Sequence, residues 1–398
     1  MRFFYISLSL CFLFALGLST WTTPVRILRY SPYSSFHPKS LYRDPSSSIT
    51  HVAAATHRNT ICTYLAVSDA GKVLYNATFT PKSMLHNMYI TGADDSRRIF
   101  LSFDNITEVS AKFSSVAMFT ESTNGGRTWT APVPLKKAGA TRTQTKIGTM
   151  FYVAEEHRLY AFFTELDGYS HKIKMMSRDD GSSAFSRESD VVTDSFPEAT
   201  AGYSYANGKI IFHVVYKGEF SQLKYTRSTN GGASWSAPME FRVNSRITCL
   251  LRIISNRNMG PFVDIAYADE NSESWVFHSA NFGKSFESAV PFGADSNNEF
   301  ALCSSKNANI LAVIHIPRST NNVSYSLMDV RTLESKTLTH PFKTEKKLID
   351  VGVACTMNAK DATRKTAAMV AIDEGETSAV YFALETATVT LSERRASA

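Results

Sequence analysis

Beyond its first two dozen residues the chain has no apolar run approaching the eighteen or so uncharged residues that a membrane-crossing helix needs. It has no His-x-x-x-His or Cys-x-x-Cys spacing, no glycine-rich phosphate loop and no Gly-x-Ser-x-Gly elbow. Those absences set aside spaced metal sites, phosphate-loop nucleotide hydrolysis and serine hydrolysis of the elbow type. Helical periodicity is nearly absent. Cysteine is scarce, five in 398 residues, too few for disulfides to be the main scaffold. The formal net charge of +6 is dispersed apart from a basic tail over 392–398, so no stripe tracks a phosphate backbone and nucleic acid is excluded as a partner. With 43% hydrophobic residues, the chain can bury one large core or several smaller ones.

The chain opens MRFFYISLSLCFLFALGLSTW: one arginine, an apolar run from Phe3 to Leu18, and small residues at Gly17 and Ser19. This pattern predicts a secretion signal over residues 1–19, and the run is short for a membrane span. The mature chain is therefore expected to be exported, free or at the cell surface, with no transmembrane span. Asn-x-Ser/Thr triplets at Asn76, Asn105 and Asn322 fit an exported chain and predict N-glycosylation on surface loops. Loss of the leader removes Cys11 and leaves Cys62, Cys249, Cys303 and Cys355, an even number with three pairings open in an oxidising compartment.

What the sequence does contain is a sentence written more than once. ESTNGGRTWTAP, residues 121–132, returns as RSTNGGASWSAP, residues 227–238. The shared pattern is Ser122, Asn124, Gly126, Trp129 in the first copy and Ser228, Asn230, Gly232, Trp235 in the second. Ser279, Asn281, Gly283 and Phe286 form a third copy; Ser177, Asp179, Gly181 and Phe185 form a fourth with one extra residue before its aromatic. The copies start at 122, 177, 228 and 279, a period of 51 to 55 residues. That is the range of propeller and solenoid repeats.

The chemistry of each copy is that of a turn. Asn, Asp and Ser side chains bond nearby backbone, glycine takes a positive φ, and the terminal aromatic enters the core. Strand-like segments such as SSVAMFTES, HKIKMMSRD, QLKYTRST and SWVFHSAN precede the copies. Four short antiparallel strands per period read as a propeller blade. Cys249, Cys303 and Cys355 carry the period on at steps of 54 and 52, each in a first-strand segment. Buried thiols on inner strands, a Cys249–Cys303 bridge between neighbouring units and a Cys62–Cys355 tie between chain ends all remain open. Units beginning near 86, 147, 198, 248, 299 and 349 give an all-β, six-bladed β-propeller over 86–391. Residues 20–85 then close the ring or form an irregular seventh blade.

The repeated turn resembles the Asp-box, or BNR, repeat, and four copies at this spacing resemble the sialidase and trans-sialidase superfamily of β-propellers over roughly residues 86–391. The resemblance implies three arginines clamping a sialic acid carboxylate, a tyrosine nucleophile with a glutamate base, and an aspartate acid/base. It implies no metal and no cofactor. It places Ile90 of HNMYITG where the first arginine would sit, the letters of that motif occurring instead at YRDP with Arg43, one unit earlier. It places Asp104 and Glu108 of LSFDNITEV in the acid/base loop, Val215 at the second arginine and Glu198 near the glutamate. It leaves Arg318 of IHIPR as the third arginine, Val353 in place of the tyrosine, and Asp373 of VAIDEG as the nearest carboxylate to it.

Two functional expectations follow. The first is an exported, glycosylated sialidase-like propeller that has lost catalysis and recognises a glycan or a cell-surface protein, alone or within a surface complex. The alternative is a divergent exo-sialidase or trans-sialidase using Arg43 or Arg318, Asp104 or Glu108, and a tyrosine such as Tyr203 or Tyr205.

Overall fold

A computed structural model describes residues 20–21, 25–29 and, apart from short intervening segments, 37–388; side chains are described over most of 40–291. Among the described residues there is no α-helix, only one 3-10 turn at Ala154–Glu156. The strands form seven antiparallel sheets, I to VII, spanning residues 37–79, 84–134, 144–195, 199–241, 247–293, 296–343 and 348–388. Within each sheet the chain steps outward strand by strand, so consecutive strands are neighbours. The first strand of every sheet touches the first strand of the next, and that of sheet VII touches that of sheet I. The result is a closed, propeller-like ring. The final strand, Ala379–Thr388, pairs on its outer side with Thr20–Trp21 and Val25–Arg29, so both ends of the chain share sheet VII.

Six units were the preferred expectation, with a seventh from residues 20–85 left open; here residues 37–79 build a complete four-stranded sheet of their own, and Thr20–Trp21 with Val25–Arg29 supply the closing edge. Sheet I escapes the repeat pattern because its turn between third and fourth strands is a plain one. There Gly71 N–H donates to Ser68 O at 2.8 Å and Lys72 N–H to Ser68 Oγ at 3.2 Å, and Ala70 and Lys72 stand where the repeat has its asparagine and glycine, although Tyr75 keeps the aromatic position. The signal region, residues 1–19, and the tail, 392–398, lie outside the described residues.

The core is cut into slices between facing sheets. Tyr64, Ile90, Leu101 and Phe103 fill the space between sheets I and II; Phe100, Phe119, Ile147 and Phe163 that between II and III. Phe162, Met175, Phe212 and Val214 pack between III and IV, and Val215, Tyr225, Ile265 and Phe277 between IV and V. Each such side chain contributes about 1.5–3 kcal/mol on burial, so these slices outweigh any single hydrogen bond in holding the ring. Because a middle strand is covered on both faces, its alternation disappears: all seven residues of Val263–Asp269 are buried.

The repeated turn joins third strand to fourth and staples each sheet to the one before. In the first copy Ser122 Oγ accepts the Gly126 N–H at 2.8 Å and donates to Asn124 Oδ1 at 3.0 Å; Asn124 Oδ1 accepts the Thr128 N–H at 2.9 Å. The copies at Ser228 and Ser279 repeat these bonds within 0.2 Å. In the copy with the extra residue, Asp179 Oδ1 takes Arg158 Nε at 2.5 Å instead. The aromatics then reach back across the slice. Trp129 meets Tyr64 of sheet I edge-on at 4.7 Å, Phe185 meets Phe119 of sheet II at 5.1 Å, and Phe286 meets Tyr225 of sheet IV at 4.9 Å. Trp235 lies 6.2 Å from Phe162 of sheet III.

Two of these junctions contain the same buried triad of parts. Tyr64 Oη bonds His51 Nδ1 at 2.7 Å, and Tyr225 Oη bonds His213 Nδ1 at 2.7 Å. Each hydroxyl occupies the space a side chain would need at the turn glycine of the next sheet, Gly126 (φ +87°) and Gly283 (φ +69°) respectively. Burial lowers the histidines to about 4 at His51 and about 3 at His213, so both are neutral hydrogen-bonding groups at pH 7.

The inner-strand cysteines fall as the period requires, on Ile247–Ile254, Ser296–Ser304 and Leu348–Met357, the first strands of sheets V, VI and VII. Cys62 is a free, fully buried thiol on a third strand, its pKa pushed up by burial. A Cys62–Cys355 tie is therefore not part of the structure.

Candidate functional site

One end of the ring receives Asp104, Glu108, Glu198 and Asp373. At that end first strands begin and second strands finish. Asp104 and Glu108 lie on Ile99–Val109, the second strand of sheet II, and Asp373 is the last residue of the second strand of sheet VII, paired with Leu348. Glu198 immediately precedes the first strand of sheet IV, Ala199–Ala206. Arg318 lies outside the described residues, directly after Ile310–Pro317, the second strand of sheet VI. The side chains of Glu108 and Asp373 are likewise outside the described set.

Asp104 is fully buried. Its Oδ1 accepts the Ile147 N–H of sheet III at 2.7 Å and its Oδ2 accepts Asn87 Nδ2 at 2.9 Å. Burial pushes its pKa up to about 7, against the opposing pull of those two donors and of Lys146. The same kind of bond recurs around the ring. Ser40 Oγ accepts the Ile90 N–H at 3.0 Å, tying sheet I to II, and Thr149 Oγ1 accepts the Ala201 N–H at 3.0 Å, tying III to IV. Asp104 is thus the II–III member of a series of latches in which a side-chain oxygen satisfies an inner-strand N–H of the next sheet.

Beside this latch, sheets III and IV open onto a charged lip that the sequence did not mark. Lys146 is on the first strand of sheet III and His171 on its third, both half-buried. The His171 pKa is lowered by burial and then by Lys146, against Glu198. Glu198 is exposed, with its carboxylate 3.7 Å from Lys217 Nζ and its carbonyl accepting the Lys217 backbone N–H at 3.1 Å. Lys146 shares a row with Thr164 and Ile173, and His171 lies two residues along the strand from Ile173, so cross-strand register and no local motif brings them together. The lip offers cationic and carboxylate groups for binding a polar ligand.

The clamp positions read differently. Ile90 is packed with Leu101 and Tyr64, and Val215 is fully buried with Tyr225 and Ile265, each in an apolar slice. Val353 lies on Leu348–Met357, with its side chain outside the described set. Arg43 is buried at the opposite end: its Nη1 donates to Thr50 Oγ1 at 3.1 Å and pairs with Asp69 at 2.8 Å. It lies three residues beyond Ser40, whereas Asn87 lies three before Ser40's partner Ile90, a separation of roughly 20 Å along the strands. Arg43 and Asp104 cannot hold one substrate. Tyr203 and Tyr205 run along the inner strand of sheet IV toward that same far end, half-buried, with Tyr203 stacked on Phe151 at 4.9 Å. Among the described residues no group of three or more His, Cys, Asp or Glu side chains is placed to hold a metal ion.

These features define an all-β protein with a propeller-like ring of antiparallel sheets. No protein-family profile and no curated protein matches the sequence. Solved structures do match by shape. A polysaccharide lyase, Uly1, aligns with a TM-score of 0.57 at 8% identity, covering 89% of this chain and 90% of that one. A protein of unknown function from Dyadobacter fermentans aligns with a TM-score of 0.51 at 11% identity, covering 92% and 99%. Trypanosoma rangeli sialidase, solved as a covalent intermediate, gives 0.48 at 12% identity, covering 79% of this chain and 56% of that chain. Identities this low speak for the fold alone.

Proposed function

We propose that the chain is an exported, sialidase-like β-propeller with Asp-box turns that serves as a non-catalytic recognition module for a glycan or a cell-surface protein. The observation that carries this reading is the state of the clamp: two of the three positions for a carboxylate-binding arginine hold Ile90 and Val215, both sealed in apolar packing. The carboxylate offered as acid, Asp104, is consumed by an inter-sheet latch and has no exposed surface. A rigid ring end with a charged lip suits recognition without chemistry. The apolar N-terminal run and the three Asn-x-Ser/Thr triplets support export.

The alternative, a divergent exo-sialidase or trans-sialidase, draws on one observation, the convergence of Asp104, Glu108, Glu198, Asp373 and the approach to Arg318 on one end of the ring. Turnover of a fluorogenic sialoside by the purified exported chain, beside an Arg318→Ala control, separates the two. The recognition reading expects no turnover at a concentration where a sialidase weakened ten-thousandfold would register. Turnover that vanishes in the control would establish the enzyme instead. Binding of the inactive chain to an immobilised glycan panel then identifies the ligand class.

A further inference from the structure

The outermost strand of each sheet leaves one row of backbone donors and acceptors unpaired, a template on which a second chain can add itself. Six of the seven sheets guard that edge by recognised means. Val133–Pro134 is two residues long and ends in proline; Met239–Phe241 is three residues with a glutamate; Val290–Gly293 is four with a proline. Ser186–Ser195 carries four charges, Ser335–Lys343 two lysines and a proline, and Val25–Arg29 two arginines. Sheet I alone presents VLYNATF, Val73–Phe79: seven residues, no charge and no proline. Such a segment invites edge pairing.

Its side chains alternate cleanly. Tyr75, Ala77 and Phe79 turn inward against the slice that contains Trp129, with Arg127 lying 5.1 Å from the Tyr75 ring. Leu74, Asn76 and Thr78 form the exposed row, and Leu74 is one of the two exposed large apolar residues of the described set. This exposed row contains both the asparagine and the threonine of an Asn-x-Thr triplet. The triplet at Asn105 has a different setting. Asn105 is half-buried in a second strand, paired with Leu85 on one side and Val116 on the other.

We infer that Asn76 carries an N-linked glycan in the folded protein, that Asn105 does not, and that the Asn76 glycan is the device that keeps the outer edge of sheet I from pairing with a second chain. A branched, hydrated oligosaccharide anchored at the middle of a seven-residue edge covers Leu74 and blocks approach along the whole strand. The inference rests on the export part of the proposed function and is independent of whether the ring end binds or hydrolyses anything.

The test is expression of the full chain through a eukaryotic secretory pathway, once with its own N-terminus and once behind a heterologous leader, with glycopeptide mass spectrometry of the product. The expected result is high occupancy at Asn76 and little or none at Asn105. Thr78→Ala, which removes the acceptor triplet and leaves Asn76 in place, should shift the monomer toward dimers and larger species in sedimentation velocity. Leu74→Lys added to Thr78→Ala should return the monomer by charging the same edge, which separates edge pairing from misfolding. An unoccupied Asn76 in protein secreted behind the heterologous leader, occupancy at Asn105 equal to that at Asn76, or a Thr78→Ala protein that stays monomeric at the wild-type concentration would each overturn the inference. Retention inside the cell with its own N-terminus, but secretion and Asn76 occupancy behind the other leader, would overturn the export reading and leave the edge inference standing.

Discussion

Gly231 and Gly283 give a controlled measure of what the repeated turn contributes to the ring. Both adopt φ +69°, so alanine at either meets the same backbone penalty, about 1 kcal/mol. Around Gly231 a Cβ would meet nothing within 4 Å. At Gly283 it would overlap the Tyr225 hydroxyl and stand 3.3 Å from His213 Nδ1. Tyr225 must then withdraw, breaking its 2.7 Å bond to His213 and disturbing its contact with Phe286. Leaving buried polar groups unpaired costs about 1–3 kcal/mol and repacking a tight site about as much again. Gly231→Ala should therefore cost about 1 kcal/mol and Gly283→Ala about 3–7 kcal/mol, read from the midpoint and slope of urea denaturation. Tyr225→Phe deletes the obstructing oxygen, so the double variant with Gly283→Ala should be less destabilised than the sum of the singles by about 2 kcal/mol. Equal losses at Gly231 and Gly283, within about 0.5 kcal/mol, would refute the claim that the tyrosine–histidine pair braces the neighbouring turn.

Three further outcomes are expected. The Asp104 carboxyl, raised to about 7 from an unfolded value near 3.8, holds its proton better in the folded state; its contribution is complete below the unfolded value and lost as pH rises through about 7. Asp104→Asn should flatten that part of the stability profile between pH 4 and 8, a change of up to about 4 kcal/mol. His51 and His213 act oppositely: lowered to about 4 and about 3 from 6.5, they take up protons more readily when unfolded, so stability falls as pH drops below 6.5, and His51→Gln with His213→Gln should blunt that acid limb in denaturation midpoints. Trp129→Ala empties the junction between Tyr64 and Phe79 and should cost about 3–5 kcal/mol in chemical denaturation.

The turns were legible in the sequence because their chemistry is local. Ser122, Asn124 and Gly126 bond within five residues of one another, and a fixed pattern of letters records that. The period survived into the cysteine-bearing strands, each cysteine falling on a first strand though at different depths: Cys249 is the third residue of its strand, Cys303 and Cys355 the eighth of theirs. Sheet I was ambiguous for the converse reason, since its Ser68–Lys72 turn has Ala70 and Lys72 where the repeat has asparagine and glycine. The end of the ring was only half visible. Ile90 and Val215 are buried in apolar slices, as their side chains suggest, but a carboxylate in a strand looks alike whether it faces a ligand or, as with Asp104, an N–H forty-three residues away. Lys146, His171 and the His51–Tyr64 and His213–Tyr225 pairs depend on register and on which sheet faces which, and neither is written in local spacing.

Closure of the ring through sheet VII also sets a clock on synthesis. The segments at Thr20–Trp21 and Val25–Arg29 emerge first, yet their partner, Ala379–Thr388, emerges last. At the usual elongation rate of about 5–20 residues per second, those early strands wait tens of seconds for the surface they complete. Sheet I waits equally long for its neighbour on that side, with one face supplied by sheet II early and the other only at the end. A nascent ring of this kind is an open arc for most of its making, with the sheet VII side of its first sheet uncovered until the last strand arrives.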